Sequence, residues 1–428
     1  MIDRRQMLTG SLLTGAALQA GAALTAVPAD SFVRPAGADD EAAWTRIAGH
    51  YGVARDVVQL ENGNFGIMAR SVLAAYTRHT ERVNEQGSYY TRRGYAADAG
   101  RILQSAAALL GVSADELVFT RNATEALQAL IGGYNRLRPG DAVLYADLDY
   151  DSMQTAMRWL RSRRGADVVT INLPEPATHQ GLIDAYEQAL QANPRIRLLL
   201  LTHVSHRTGL MLPLAEIIAM ARARGVDAIV DAAHSWGQAD FNFAALQADF
   251  VGFNAHKWLG APLGVGLAYI RKSRVADIDA FMGNDEYGDP LDVRNRVHTG
   301  TANFAAVLSF GDALDWHRTL GPSAKAARLK YLRDCWAETL RGYGQLQVLT
   351  PEDARLSAGI TSFRMRGRTS MADNAAVARQ LLEQFGVFTV ARSGVAAGAC
   401  VRVTPALFTL RAEMDVLTQA LKVMAAAP

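Results

Sequence analysis

Between residues 116 and 254 the chain repeats one arrangement: a short, continuous apolar run, then a stretch with helical spacing or a turn. The runs are ELVFT (116–120), AVLYA (142–146), DVVTINL (167–173), RLLLLT (197–202), DAIVDAA (227–233) and DFVGFN (249–254). None alternates apolar with polar residues, so both faces of each strand must be covered. Strands separated by helices return as parallel neighbours through crossovers. The expected fold class is therefore α/β with a mainly parallel sheet, and ligands of such sheets bind beyond the carboxyl ends of the strands. No GxGxxG stands in the first strand-to-helix turn, which argues against a dinucleotide site. After about residue 310 the pattern becomes a long helix (AKAARLKYLRDCWAETLRGYG), then ITSFRMR, a helix, VFTVAR, CVRVTPALF and a last helix, as in a smaller α+β domain. We expect a large domain over 61–310, a small one over 311–428, and a segment over 30–60 that packs against one of them.

At 428 residues two domains are the natural expectation, and 50% hydrophobic with 20% charged residues describes an ordinary globular enzyme. A net charge of +2 gives no basic footprint for nucleic acid and no patch for a membrane surface. Residues 1–29 differ in character: Arg4 and Arg5, then an apolar stretch softened by Gly, Ala and Thr, with small residues at Val27 and Ala29. That pattern predicts a twin-arginine export signal cleaved after Ala29, hence a periplasmic mature protein with no membrane segment. Two cysteines, Cys335 and Cys400, make no disulfide framework, and separate thiols are expected.

The residues that follow the strands carry the chemistry. After ELVFT, the run Asn122-Ala123-Thr124 opens a helix, offering free N–H groups, a hydroxyl and the positive end of a dipole. Either a phosphate seat or simple N-capping explains it. After DAIV comes Asp231, a carboxylate at the end of an apolar strand, which needs a cation, a helix N-terminus or a metal to meet it. No second cluster has ligand spacing, so no metal is expected. After DFVGFN comes NAHKWLGAPLG (254–264), in which Lys257 is one of only five lysines among 44 Lys+Arg. Arginine stays charged, whereas lysine can lose its proton and attack a carbonyl, so Lys257 is either a Schiff-base amine or a snorkelling side chain. A phosphate seat, an acid and a lone lysine, in that order, match the needs of pyridoxal phosphate: an anchor, a partner for the protonated ring nitrogen, and an amine for the aldehyde.

These motifs resemble the class V aminotransferase family of pyridoxal-phosphate enzymes with fold type I, over residues from LENGNFG near 60 to RVTPALFT near 409. The resemblance implies an aspartate-aminotransferase-like, seven-stranded type of sheet. HKW then makes Lys257 the cofactor-bearing lysine and proton carrier, with His256 on the phosphate. VDAAH pairs Asp231 with the ring nitrogen and sets His234 near the phenolic oxygen. THVSHRTG places Ser205 beside the same oxygen, NAT sets Ala123 and Thr124 on the phosphate, and Tyr150 in DLDYDS falls where a ring-stacking residue stands. HTGTAN resembles a motif reaching a neighbouring subunit's phosphate, so Gly300 and Thr301 imply a homodimer with shared sites. VRVTPALFT makes Arg402 the clamp for a substrate carboxylate. The loop after Arg392 reads SGVAAGA, without the cysteine that desulfurases of this family use there. ENGNFG, YYTRRGY and NAHKWLGAP are most similar to the isopenicillin N epimerase-like branch. With export, this implies a periplasmic enzyme acting on an amino acid or peptide-like, siderophore-type metabolite. Transamination is the leading expectation, followed by epimerisation and C–S lysis, with a non-catalytic cofactor-binding protein as the reading from another class.

Overall fold

A computed structural model describes residues 34–298 and 300–426; the expected export signal lies outside the described residues. The chain enters through α1 (Glu41–Ala48), capped by Asp40, whose carboxylate accepts from Ala43 N. It continues through the two-residue strand β1 (Val58–Gln59), then α2 (Arg70–Arg93) and α3 (Tyr95–Leu110). Gly87, with φ +48°, interrupts α2 in a backbone region that costs glycine nothing.

The alternation then unfolds as expected: β2 (Leu117–Thr120), α4 (Ala123–Gly133), β3 (Ala142–Ala146), α5 (Asp151–Arg164), β4 (Asp167–Ile171), α6 (His179–Ala192), β5 (Ile196–Thr202), α7 (Leu214–Ala223), β6 (Asp227–Asp231), β7 (Phe250–Asn254) and β8 (Gly266–Ile270). These strands form one seven-stranded sheet in the order β2-β8-β7-β6-β5-β3-β4. β7, β6, β5, β3 and β4 are parallel; β8 runs antiparallel between β2 and β7.

Successive side chains of the apolar strands enter different cores. Leu144, Leu199, Leu201 and Val230 pack in one, with α6, α7 and α8 (Phe304–Leu320). Val143, Tyr145, Leu198, Leu200 and Ile229 pack in the other, with α4 and α5. Covering both faces is what the unbroken hydrophobicity required. A third core gathers around Trp336 of α9 (Pro322–Leu340), under a four-stranded antiparallel sheet. That sheet has the order β12-β13-β10-β9, formed by β9 (Leu346–Val348), β10 (Thr361–Met365), β12 (Val390–Arg392) and β13 (Cys400–Val403). α10 (Met371–Phe385) and α11 (Arg411–Ala426) complete it, and β11 (Val387–Phe388) pairs in parallel with β1, tying the 30–60 segment to this part of the chain. Cys335 and Cys400 are both free thiols. No helix among the described residues is long and apolar enough to cross a membrane.

Candidate active site

Beyond the carboxyl ends of the large sheet lies a cavity of about 380 Å³. Its wall is assembled from strand ends: Ala123 and Thr124 after β2, Tyr150 after β3, Thr202 closing β5, Asp231 closing β6, Asn254 closing β7 and Gly264 entering β8. Lys257, His234, His256 and Arg402 line the same space. The fold thus brings together eight of the ten side chains singled out from sequence: Ala123, Thr124, Tyr150, Asp231, His234, His256, Lys257 and Arg402.

Lys257 sits in a tight turn after β7. Its Nζ lies 2.9 Å from His234 Nε2. Burial, followed by the nearby Arg402 and Arg392, pulls its pKa down to about 8, against the opposing pull of Asp231 and Glu61. The N-terminal segment crosses directly over this turn. Gly66 N donates to His256 O at 2.8 Å, and a Cβ at Gly66 would stand 2.0 Å from Lys257 O. Gly66→Ala is therefore expected to displace the lysine turn, at a cost of about 1–3 kcal/mol, seen as a lower Tm together with weaker cofactor retention.

Asp231 is buried at the floor. Its Oδ1 accepts from Ala233 N at 2.9 Å, and burial is the main cause that raises its pKa. Among the described residues no cation comes within ion-pair distance of it, so an unmatched carboxylate faces the cavity, as a protonated ring nitrogen requires. At the opening of α4, Asn122 Oδ1 takes the N–H of Glu125 (2.9 Å) and Asn254 Oδ1 takes that of Ala123 (2.8 Å). Thr124 is left to present its hydroxyl and N–H to the cavity at the helix N-terminus, a fit for phosphate. His256 Nδ1 donates to Val265 O at 3.2 Å, so its Nε2 donates to a phosphate oxygen only when the ring is protonated.

Arg402, on β13, is almost wholly buried. Glu61 takes one edge of its guanidinium, through Nη2 and, at 3.3 Å, Nε; Nη1 donates to His206 O at 2.7 Å. Nη1 and Nη2 each keep one further N–H, and the guanidinium lines the cavity, the donor chemistry that a carboxylate requires. Glu61 also accepts from Arg392 at 3.0 Å, so one acid orients two pocket arginines.

Two residues singled out from sequence are not on the wall. The Ser205 hydroxyl accepts from the N–H groups of Arg207 (3.2 Å) and Thr208 (3.4 Å), tying the turn after β5, while Thr202 and His206 of that segment reach the cavity instead. Thr301 is exposed and outside the wall. Tyr150 stands 38% exposed at the mouth, its ring edge-on to His206 at 5.2 Å. The sequence reading missed His206, Asn254 and Glu61 altogether. Of these, Asn254 carried a signal, as the polar residue that closes an apolar strand.

The description "Aminotransferase class-V" matches residues 68–416. The chain belongs to that family. Isopenicillin N epimerase of Streptomyces clavuligerus is 28% identical over 393 residues, covering 88% of this chain and 97% of the epimerase. The crystal structure of the Escherichia coli cysteine desulfurase CsdA superposes with a TM-score of 0.74 at 20% identity, covering 89% of this chain and 98% of CsdA. C-DES, a cystine C–S lyase solved with glycine covalently linked to its PLP cofactor, gives a TM-score of 0.72 at 22% identity over 86% of this chain and 96% of C-DES. The fold is thus fold type I, and this class-V enzyme takes pyridoxal 5'-phosphate. In this chain Lys257, Asp231, Thr124 and His256 would hold it.

Proposed function

We propose that this class-V enzyme moves a proton at the amino-bearing carbon of an amino acid or peptide-like, siderophore-type metabolite, most directly in transamination, and that it does so in the periplasm after twin-arginine export. The observation that carries the reading is the gathering, in one cavity, of a desolvated Lys257 amine, an unmatched Asp231 carboxylate and the Arg402 guanidinium. Pyridoxal phosphate supplies an electron sink that stabilises negative charge on the amino-bearing carbon. Arg402 binds and orients the substrate carboxylate, Asp231 keeps the ring nitrogen protonated, and the Lys257 Nζ takes the proton from that carbon and passes it on rather than restoring it there. Gly63 and Gly66 let the N-terminal segment close over the site: a Cβ at Gly63 would stand 2.9 Å from the Arg402 guanidinium.

Sulfur transfer fits poorly. Residues 393–399 contain no cysteine, and Cys400 is buried with Sγ donating to Arg207 O, its thiol pushed up to about 11 by burial. Epimerisation is the second reading, favoured by the similarity to isopenicillin N epimerase over most of both chains and by His206, a further titratable ring in the cavity. We further propose that a second copy of the chain completes the site through Gly300 and Thr301. An apolar groove with exposed Trp159, Phe281 and Met282, the last 92% exposed, supports a self-association surface.

The deciding experiment incubates the holoenzyme with amino acids and siderophore-type amines, with and without 2-oxo acids. Keto-acid formation that depends on added 2-oxo acid supports transamination. Loss of optical activity without it supports epimerisation, and sulfide release alone would overturn both.

A further inference from the structure

We infer that Trp258 is a positioning residue that fixes the tautomer of His234 and, through it, favours the free-amine form of Lys257. The indole N–H can only donate, and it lies 3.2 Å from His234 Nδ1, so Nδ1 is an acceptor. A neutral imidazole then carries its proton on Nε2. Burial, with Lys257 and Arg402 adding to it, keeps this ring neutral, its pKa well below the ordinary histidine range. Nε2 is 2.9 Å from Lys257 Nζ. With the proton already on Nε2, that contact is a hydrogen bond only if Nζ offers a lone pair. An ammonium group would set N–H against N–H. Lysine, normally a donor, is here the acceptor.

The surrounding charges do not produce this state by themselves. Asp231 and Glu61 favour the ammonium form, while Arg402 and Arg392 oppose it. His206 and His256 are kept neutral chiefly by burial. Donation from His234 adds to the side of burial and the arginines.

The two rings stand on backbones that are themselves pinned. The Trp258 carbonyl accepts from Lys325 Nζ, a second buried lysine reaching in from α9. Gly237, at φ +90°, passes so close that a Cβ there would lie 2.8 Å from the Trp258 carbonyl carbon. The His234 carbonyl accepts from Gln238 Nε2 at 2.5 Å, and Gln238 Oε1 accepts from Ile360 N at 3.0 Å. The Trp258–His234–Lys257 chain is therefore held from both ends. It rests on the reading of Lys257 as the cofactor-bearing amine and deepens it: the Nε2–H that favours the free amine is also the donor a cofactor's phenolic oxygen would meet.

The test is a pH profile of the cofactor-free protein, labelled briefly with formaldehyde and borohydride, with methylation of the Lys257 peptide read by mass spectrometry and Lys422 as internal reference. The wild-type Lys257 midpoint is expected at about 8. Trp258→Phe removes the donor; Nδ1 can then take the proton and Nε2 can accept from an ammonium. The midpoint is expected to rise by about one unit or more, an approximately tenfold slower reaction at pH 7. Because Phe leaves the indole space partly empty, a second variant carries the benzothiophene analogue of tryptophan at 258, which keeps the shape and lacks the N–H. The same rise in that variant supports the inference, and an unchanged midpoint overturns it. Formaldehyde labelling does not require pyridoxal phosphate to bind. Failure of the cofactor to attach to Lys257 would thus sink the functional reading, while an unchanged profile with normal attachment would sink only the role of Trp258.

Discussion

Replacing Lys257 by alanine is expected to abolish covalent capture of the cofactor and to lower turnover by at least roughly 10³-fold. The expectation rests on position. Of the five lysines, Lys257 alone lines the cavity that also holds Asp231 and Arg402. Lys325 is buried as well, but its amine is spent on the Trp258 carbonyl. Borohydride reduction of the holoenzyme should therefore fix the cofactor to the Lys257 peptide in wild type and in Lys325→Met, and to no peptide in Lys257→Ala. Capture should also depend on pH in a stated direction. Below about 8 the amine is protonated and unreactive, and it becomes free as pH rises through that value, far below the ordinary lysine range. The fold should survive the change, because the side chain makes a single hydrogen bond, to His234, and removing a desolvated amine takes away a group that is costly to bury. A label on the Lys325 peptide, or an alanine variant that still turns over within tenfold of wild type, would break the assignment.

What the sequence made legible follows from where each residue stands relative to a strand. Asp231, Asn122 to Thr124, and Lys257 each have a bland explanation alone, and become legible because all three stand just after apolar runs in the order a single cofactor requires. The sheet was legible from those runs: strands buried on both faces must read as continuous apolar runs, and the alternate entry of Leu144 and Val143 into opposite cores bears this out. The antiparallel strand β8 was not read from the pattern. Gly266–Ile270 continues the apolar character of the turn after Lys257, and nothing local tells a return hairpin from a longer turn. Ser205, singled out by the resemblance of its motif, lies outside the cavity wall because the chain turns sharply after Thr202 and its hydroxyl ties that turn. Glu61 was invisible as a functional group. Its meaning comes from Arg402, 341 residues away in sequence, and from Arg392, both of which only the fold sets beside it. Trp258 stands in the HKW motif, yet its bond to His234 depends on two turns meeting at the ends of β6 and β7.

Asp231→Asn is expected to move stability and turnover in opposite directions. In the cofactor-free protein Asp231 is a buried acid with one backbone donor and no ion-pair partner, eased only partly by the nearby Lys257, and burial raises its folded-state pKa above the unfolded value. The folded chain then binds a proton more readily than the unfolded one, so ionising Asp231 lowers stability as pH climbs from the unfolded pKa through the folded one. Above the folded pKa the wild type carries that cost, and a neutral amide of the same shape removes it. Asp149 lies close enough for the two acids to repel, its own pKa pushed up to about 7 mainly by burial, so losing the Asp231 charge also eases its ionisation. The cofactor-free variant should therefore unfold at a higher temperature at pH 7, with the gain shrinking toward pH 4. With pyridoxal phosphate bound, the balance reverses: a protonated ring nitrogen supplies the missing cation, and an amide cannot keep that nitrogen charged. The variant should still attach the cofactor through Lys257 and seat its phosphate at Thr124, yet turn over about 10²- to 10³-fold more slowly. Unfolding curves of the cofactor-free protein at pH 4 and 7, set beside single-turnover rates of the holoenzyme, separate the two effects. The unmatched charge at the end of β6 is a cost the empty fold bears so that the loaded site can work, and an Asp231→Asn enzyme of near-normal rate would show that the carboxylate serves some other purpose.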